Sequence, residues 1–568
     1  MKLSHSSRAR LLWLPAALSL LGGCSTLDDL WSDATAPRAL DPAEAPNGPD
    51  EDAGAVRVRD DAGATPPSAT DVTVVFPGLD DASAIDDAAI DDAATGDVPP
   101  GDAAVDTRPT ITALAFRTPV VEAPAGGSRW LGYVRAGGTV AIVRGPVGNE
   151  GCPARRDTAG AGWYEVEGGG YVCVGPFAAL TTQVEGRAIA RRLPTQPSLD
   201  ASMPFQYAIN WRPTVMYRWL PSLADEREVE PERFAPRGGV PAAGDGGVTD
   251  AGARPDGSVR IEELEGAAGS PLLRRMTRGM YVSIDRALRG SGGGNYYRTQ
   301  GGGFVRTGSV GIVRNASTFQ GQVLGEQMRL PVGFALSVTT STYQQNGRGG
   351  FSPVARVPRL TAFQLTEDPP VRGGNDEYFR TREGYFVRSR QVRVITAHAP
   401  PADLGPDEKW IDVNLDHQSV VAYQGATPVY VTVGSTGRRN RSNPDENYET
   451  IQGGFRIQSK HVATTMDGNS ANDGPYSIED VPWVMYFEAS FALHGAFWHE
   501  GYGMMRSHGC VNLAPSDARW LYHWTEPQVP PGWHAAYATP QRPGTRVYVH
   551  YDDQALGERG GPERVPQH

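Results

Sequence analysis

The chain has 568 residues, which is too long for one hydrophobic core and predicts several domains. Its formal net charge is −12, but residues 25–107 hold 20 Asp and Glu against three Arg, so the remainder is close to neutral. No basic stripe is present, so we expect no nucleic-acid partner. We also predict no cofactor. The 68 Gly and 46 Pro favour β-rich domains with many turns.

Residues 1–24 are typical of an export signal, with a basic start and an apolar run that is short for a membrane span. The run ends in Leu-Gly-Gly-Cys24, which resembles the bacterial lipobox, whose cysteine carries a lipid. Ser25 follows rather than Asp, so we expect a lipid anchor on Cys24 in the outer membrane, facing the periplasm. An ordinary signal peptide with an incidental cysteine is the alternative.

Residues 25–108 are predicted to be a disordered acidic linker. Repeats of Asp and Ala over residues 84–94 offer few apolar side chains, and their like charges repel. The segment would serve as a tether for the anchored protein or as a solubilising tail. A second disordered tail is predicted over residues 553–568.

The positions of the four cysteines suggest a separate role for each group. In an oxidising compartment, Cys152 and Cys173 are expected to pair, since they lie 21 residues apart in one β-like segment. Such a disulfide stabilises a small domain by roughly 2–4 kcal/mol. With Cys24 assigned to the lipid, Cys510 remains as either a core thiol or a reactive one.

A ten-residue frame recurs at Trp163–Val172, Tyr296–Val305 and Tyr378–Val387. Aromatic residues occupy its first, second and ninth places, and Val occupies its tenth. The frame resembles the strand–turn–strand of bacterial SH3-like domains. We therefore predict an SH3-like β module over residues 109–190 and further modules over 191–404, with a flexible insertion near 222–258. The aromatic side chains would either stack on the sugar rings of a glycan or fill small cores.

A terminal domain is predicted over residues 405–552. Apolar and polar residues alternate in Lys409–Leu415, as in a half-buried strand. Pro515–Trp524 is predicted to be a helix because Pro stands near its start and Asp in its first turn. Arg546–His550 is predicted to be the closing strand.

Within this domain, residues 408–551 resemble the L,D-transpeptidase catalytic domain of the YkuD family. The resemblance rests on the opening KWIDVNLDHQSVVAYQG, on STG at 435–437, on GGFRI at 453–457, and on His494 followed by SHGCVNL at 507–513. One departure is Gln452 before Gly453, where the family usually has Thr-Pro before the glycine. The resemblance implies a mainly β chain with a transpeptidase-type β-sandwich or barrel and a short helix.

The resemblance also implies that Cys510 is the nucleophile and His494 the proton donor and acceptor. His508 lies two residues before Cys510, on the same face of a strand, and could support the thiolate. Gly509 lets the backbone turn closely, so that its amide could hold an oxyanion. Ser507 is predicted to orient a histidine.

Arg506 is a candidate for a substrate carboxylate, because its guanidinium suits bidentate contact. Asn512 and Trp498 are predicted to contact the substrate with it. The family resemblance implies that the enzyme attacks a peptidoglycan stem tetrapeptide at its third residue, releases D-alanine and forms a 3→3 cross-link. An L,D-carboxypeptidase, an enzyme that anchors a protein to the wall, and a non-catalytic wall-binding lipoprotein remain alternatives.

A zinc site would use His494, His499, His508 and Cys510, which are all residue types that bind this metal. The chain contains no tight pair such as HExxH or CxxC, and the Gly-Cys pair at 509–510 favours a nucleophile. We therefore predict no metal site.

Overall fold

The computed structural model describes residues 108–152, 160–234, 260–440, 442–443, 447–470 and 474–552. The predicted signal peptide with Cys24, nearly all of the predicted acidic linker and the predicted C-terminal tail lie outside these residues. The described chain is mainly β, which confirms the predicted fold class. No helix in the described ranges is both long enough and apolar enough to cross a membrane.

The first β unit surrounds a small core of valines with Tyr164 and Trp533. The predicted disulfide between Cys152 and Cys173 is confirmed. The unit comprises β1 Thr110–Ala113, β2 Thr118–Val121, β3 Trp130–Val134, β4 Thr139–Arg144, β5 Gly162–Val166, β6 Tyr171–Val174, β7 Ala178–Leu180 and the short helix α1 Thr181–Val184.

The second β unit carries a helix where the sequence predicted a flexible insertion. Ser222 caps helix α2, and its hydroxyl and the Asp225 carboxylate form a capping box. The prediction of flexibility is therefore wrong for the start of the segment 222–258; residues 235–259 are not described. The unit comprises β8 Gln206–Asn210, β9 Thr214–Tyr217, α2 Leu223–Val229, β10 Leu272–Met276, β11 Tyr281–Arg289, β12 Asn295–Thr299, β13 Phe304–Arg306 and β14 Val310–Ile312.

The third β unit has two small sheets, in the orders β19-β16-β23 and β18-β17-β22-β21-β20. Before it, β15 (Gln322–Val323) pairs with a strand of the terminal domain. The unit comprises β16 Val332–Ala335, β17 Ser341–Gln345, β18 Phe351–Arg356, β19 Ala362–Gln364, β20 Val371–Gly373, β21 Asp376–Arg380, β22 Phe386–Arg388 and β23 Val392–Ile395.

Each copy of the ten-residue frame is a hairpin with the same register. The second residue pairs with the tenth in all three copies, as Tyr164 with Val172, Tyr297 with Val305 and Phe379 with Val387. The first aromatic of every copy is buried. These side chains fill cores, so they are not offered to a glycan; the SH3 likeness itself stays a prediction.

The terminal domain packs two sheets around one apolar core. The first has the order β15-β26-β25-β24-β33-β27. In the second, β28 pairs with β32 and β29, and β30 pairs with β29 and β31. The elements are β24 Lys409–Asn414, β25 Ser419–Gln424, β26 Thr427–Val433, β27 Gly453–Arg456, β28 Ser459–Ser470, β29 Gly474–Glu488, β30 Phe491–Gly495, β31 Val511–Leu513, α3 Pro515–Trp524, β32 Ala535–Tyr537 and β33 Arg546–His550.

Helix α3 spans exactly the predicted residues and is held at both ends. In its first turn, the buried Asp517 accepts hydrogen bonds from the Tyr430 and Thr432 hydroxyls. At its end, the buried Lys460 ammonium donates to the carbonyls of Tyr522 and Thr525. A cation at a helix C-terminus compensates the carbonyls that lack partners within the helix.

The β units are joined to the terminal domain rather than strung before it. From Pro109 onward the described residues belong to one compact unit. Strand β3 pairs with β32, and β11 meets β29 at Tyr281 and Ile478. The Arg135 guanidinium forms a buried ion pair with Asp480, whose carboxylate also accepts from the Ser283 hydroxyl at 2.5 Å. Residues from the first unit, the second unit and the terminal domain thus share one polar cluster.

Candidate active site

Two adjacent parallel strands carry the predicted catalytic pair. In β30 and β31, Leu493 pairs with Val511 and His494 with Asn512. Cys510 immediately precedes β31, so the same register places it across from Ala492, on the face of the sheet that His494 shares. Cys510 and His494 are both fully buried. The structure therefore brings the two predicted residues to one face of one strand pair.

The His494 ring is poised to accept a proton. Its Nδ1 lies 3.3 Å from the Gly495 carbonyl, which can only accept, so Nδ1 carries the hydrogen. Its Nε2 has no hydrogen-bond partner among the described residues. Burial lowers the pKa of His494 to about 4, since the imidazolium would lose its hydration, and the Gly495 carbonyl offsets this only in part. The ring is thus neutral near pH 7, with Nε2 unprotonated.

Gly509 is required by its backbone geometry. Its φ is +139°, and a Cβ there would lie 2.9 Å from a ring carbon of Phe491. Its carbonyl accepts a 2.7 Å hydrogen bond from Thr450, whose hydroxyl oxygen in turn accepts from the amide of Gly437 at 2.8 Å. The turn before Cys510 is therefore anchored to the segment that follows β26.

Ser507 supports the same turn through backbone groups. Its hydroxyl donates to the Cys510 carbonyl and accepts from the Gly509 amide at 3.1 Å. Neither contact is with a histidine, and the Gly509 amide has an internal partner. These contacts therefore give no support to Ser507 as a residue that orients a histidine or to Gly509 as an oxyanion donor, and both roles stay predictions.

His508 is held by Arg438 and Tyr448. The Arg438 guanidinium donates to His508 Nε2 at 2.5 Å, and the Tyr448 ring packs edge-on with a centroid distance of 4.4 Å. A guanidinium can only donate, so Nε2 of His508 is unprotonated and occupied. His494 is therefore the better placed base, and the supporting role of His508 stays a prediction.

Asn512 was predicted to contact the substrate, and its side chain contacts another residue of the protein. Its buried amide nitrogen lies 2.9 Å from Nε2 of His499, which fixes the loop between the two catalytic residues. Trp498 stacks on His494 with a centroid distance of 5.8 Å, and Arg506 is half-buried in the same loop. Trp498 is also half-buried, so we infer that it borders the route to His494.

Residues outside the terminal domain form part of the surroundings. Tyr207 and Tyr281 of the second β unit pack on Phe497 with centroid distances of 4.3 and 5.4 Å, in the apolar cluster that contains Cys510. From the third unit, Arg359 donates to the Glu500 carbonyl at 2.6 Å and to the carbonyl of Tyr502. Side chains of the second β unit thus pack in the same apolar cluster as Cys510, and Arg359 of the third unit holds the loop between His494 and Cys510.

Sequence reasoning missed Thr450, Arg438, Tyr448 and Arg359. Thr450 lies in the segment where the sequence departs from the family pattern, and nothing in its spacing indicated a contact with Gly509. The other three lie between 60 and 149 residues before His508, so only the folded chain brings them to the site.

The zinc alternative gains no support from the site. Within the described ranges, three potential metal ligands have atoms within 4.8 Å of one another at one place, and it contains none of the histidines near Cys510. The buried His499, whose pKa falls to about 3 through burial and nearby Arg506, instead pairs with Asn512.

Comparison with known proteins finds similar sequences for the terminal domain. Residues 408–549 match the sequence model of the YkuD family, the L,D-transpeptidase catalytic domain. L,D-transpeptidase 2 of Mycobacterium tuberculosis (strain CDC 1551 / Oshkosh) is 26% identical over 180 residues, which are 28% of this chain and 44% of that protein. The chain therefore spans less than half the length of this curated relative.

Solved structures with similarity include a Cys-to-Ser mutant of the Enterococcus faecium L,D-transpeptidase, 23% identical over 28% of this chain and 56% of that chain, with a TM-score of 0.20. L,D-transpeptidase 3 from Mycobacterium tuberculosis is 19% identical over 29% of this chain and 73% of that chain, also with a TM-score of 0.20. TM-scores this low support no conclusion about the overall fold. The match of the sequence model identifies residues 408–549 as an L,D-transpeptidase catalytic domain of the YkuD family.

Proposed function

We propose that the chain is an L,D-transpeptidase that joins peptidoglycan stem peptides through a thioester on Cys510. The observation that supports the proposal is that Cys510 and His494 share one face of neighbouring strands, with Nε2 of His494 unprotonated and without a hydrogen-bond partner among the described residues. A buried neutral imidazole next to a thiol is the arrangement that activates a cysteine nucleophile.

In the first half of the reaction, Nε2 of His494 takes the thiol proton. The Cys510 sulfur then attacks the carbonyl carbon of the third, L-centred residue of a stem tetrapeptide. The bond to the terminal D-alanine breaks, and His494 returns its proton to the leaving amine.

In the second half, the side-chain amine of another stem peptide attacks the thioester carbonyl. The carbon–sulfur bond breaks, the amine loses a proton to His494, and the Cys510 thiol is restored. The product is a 3→3 cross-link. We assign Arg506 the task of binding a substrate carboxylate, since it is half-buried in the loop that joins the two catalytic residues.

We also propose that the protein is exported and anchored in the bacterial envelope through a lipid on Cys24. The disulfide between Cys152 and Cys173 supports an oxidising compartment. Contact of the β units with glycan receives no support from the frame aromatics, whose first positions are buried.

The test is incubation of the purified chain, without its signal segment, with tetrapeptide muropeptides, followed by mass spectrometry. We expect a cross-linked dimer that has lost one alanine. Tripeptide monomers alone would indicate an L,D-carboxypeptidase, and neither product, together with no carbapenem adduct on Cys510, would indicate a non-catalytic wall-binding protein. Cys510→Ala and His494→Ala should abolish the dimer, whereas His417→Ala, which changes a half-buried histidine in the turn between β24 and β25, should not.

A further inference from the structure

A second group of chemistry-bearing residues lies on the other sheet of the terminal domain. Nδ1 of His398 is 2.5 Å from one carboxylate oxygen of Asp412, and Nε2 of His550 is 2.6 Å from the other. The three potential ligand atoms all lie within 4.8 Å of one another. The reaction derived above uses none of these residues.

The burial of this group is unusual for a carboxylate. Asp412 is 1% exposed, and each of its oxygens faces an imidazole nitrogen. Buried carboxylates generally need a cation or several donors to offset the loss of hydration. Two imidazoles can supply this as hydrogen-bond donors, and a metal ion held by all three residues can supply it with a full positive charge.

The orientation of His550 suits a metal ligand. Its Nδ1 lies 3.0 Å from the Tyr551 carbonyl and donates to it, so its Nε2 is the atom directed at the group. A metal-binding histidine typically donates its other nitrogen to a carbonyl or carboxylate in this way, which fixes the ring.

The surroundings provide access and negative charge. The side chain of His398 is 30% exposed, so solvent and a water ligand can reach the group. The Asp552 carboxylate lies nearby and is held by contacts with Asn414 at 2.7 Å and His417 at 2.9 Å.

We propose that His398, Asp412 and His550 bind a divalent transition-metal ion of the zinc class. Two imidazole nitrogens and one carboxylate oxygen match the ligands that zinc prefers, with water in a fourth position. Ligand atoms around tetrahedral zinc lie about 3.3 Å apart, so small side-chain rotations open the present contacts to the required spacing.

The ion would join three distant parts of the chain. Asp412 lies on β24 and His550 on the neighbouring strand β33, while His398 lies in the segment between the third β unit and the terminal domain. Metal binding would therefore fasten this connecting segment to the catalytic domain. The proposal does not depend on the transpeptidase reaction.

The test is metal binding by the purified chain in a Cys510→Ser background, which removes the free thiol as a competing ligand. After dialysis against a chelator, isothermal titration with ZnCl2 should give one ion per chain, checked by elemental analysis, and Zn²⁺ should raise the melting temperature. His398→Ala should weaken binding at least about tenfold and remove the thermal shift, because loss of a ligand costs no less than loss of an outer-shell partner.

Two further variants separate this outcome from unfolding and from surface binding. Asp412→Asn keeps the shape of the side chain but replaces a strong ligand with a weak one, so it should weaken Zn²⁺ binding with a folded circular dichroism spectrum. His523→Ala changes an exposed histidine on helix α3, outside the group, and should bind like the parent. Absence of zinc binding in the parent, or equal binding by the parent and His398→Ala, would refute the proposal.

Discussion

Replacing Arg135 with methionine tests whether the first β unit is an integral part of the fold. Arg135 lies in the first unit and Asp480 on β29 of the terminal domain, 345 positions further along the chain. The substitution keeps much of the side-chain volume but removes the guanidinium. Asp480 would then remain as a buried carboxylate without its cation.

The magnitude follows from the burial of the pair. The two side chains are only 4% and 2% exposed, and the second contact, between Nη2 of Arg135 and Oδ2 of Asp480, is 2.9 Å. Burial by itself would raise the pKa of Asp480, but the Arg135 charge and hydrogen bonds hold that pKa below its usual value. Removal of one partner of such a pair costs about 3–5 kcal/mol of unfolding free energy.

The assay is equilibrium urea denaturation, followed by tryptophan fluorescence and by far-ultraviolet circular dichroism. Arg144→Met is the matched control, since Arg144 lies in the same unit and pairs with Glu165 but is 65% exposed. Its loss should leave the unfolding free energy nearly unchanged, because solvent screens an exposed ion pair. The double variant Arg135→Met with Asp480→Leu should recover part of the loss, because no unpaired charge remains.

Two results would refute this reasoning. One is a loss for Arg135→Met as small as that for Arg144→Met. The other is a separate early transition of the first unit with the rest unchanged, which would mean that the unit folds independently of the terminal domain.

Three further predictions concern the site. Gly509→Ala should lower the rate of dimer formation at least about a hundredfold, because φ is +139° and the new Cβ would meet a phenylalanine ring. Gly308→Ala places its Cβ in open space and should leave the rate unchanged. Equal rates for the two variants would contradict this reasoning. Arg359→Ala should lower kcat/KM about tenfold, because it frees the loop after His494. Arg329→Ala removes an exposed hydrogen bond and should leave kcat/KM unchanged. A loss of kcat/KM in both variants would indicate a general effect. The acid limb of kcat/KM should have its midpoint near 4, because the imidazole of His494 is neutral and active above its lowered pKa and protonated below it; a midpoint near 6.5 would show that burial does not control this group.

Local features of the chain were accessible from the sequence. The three copies of the ten-residue frame form hairpins, and helix α3 begins and ends at the predicted residues, because strand alternation and a proline at the first turn act over a few residues. The disulfide was also predictable from cysteine number and spacing. The capping box at Ser222 is equally local, and the Gly-rich and charged composition that follows it concealed the helix.

The candidate site divides in the same way. Cys510 and His494 were predicted from a short segment, since seventeen residues contain both and the motif itself places them. The hydrogen bond from Thr450 to Gly509 and the contact of Arg359 with the catalytic loop were not predictable. Each joins segments whose proximity depends on how separate sheets pack.

The sequence alone thus determined the strand-rich character of the chain, the hairpins and the paired cysteines, and it predicted Cys510 and His494 as the reacting pair. Only the tertiary structure decided that side chains of the second β unit pack near Cys510, that Arg135 pairs with Asp480, and that His398 and His550 both contact Asp412. The physical reason is the separation along the chain over which each interaction acts. Backbone propensity and side-chain alternation act between near neighbours, whereas burial and long-range polar contacts arise once distant strands share a core.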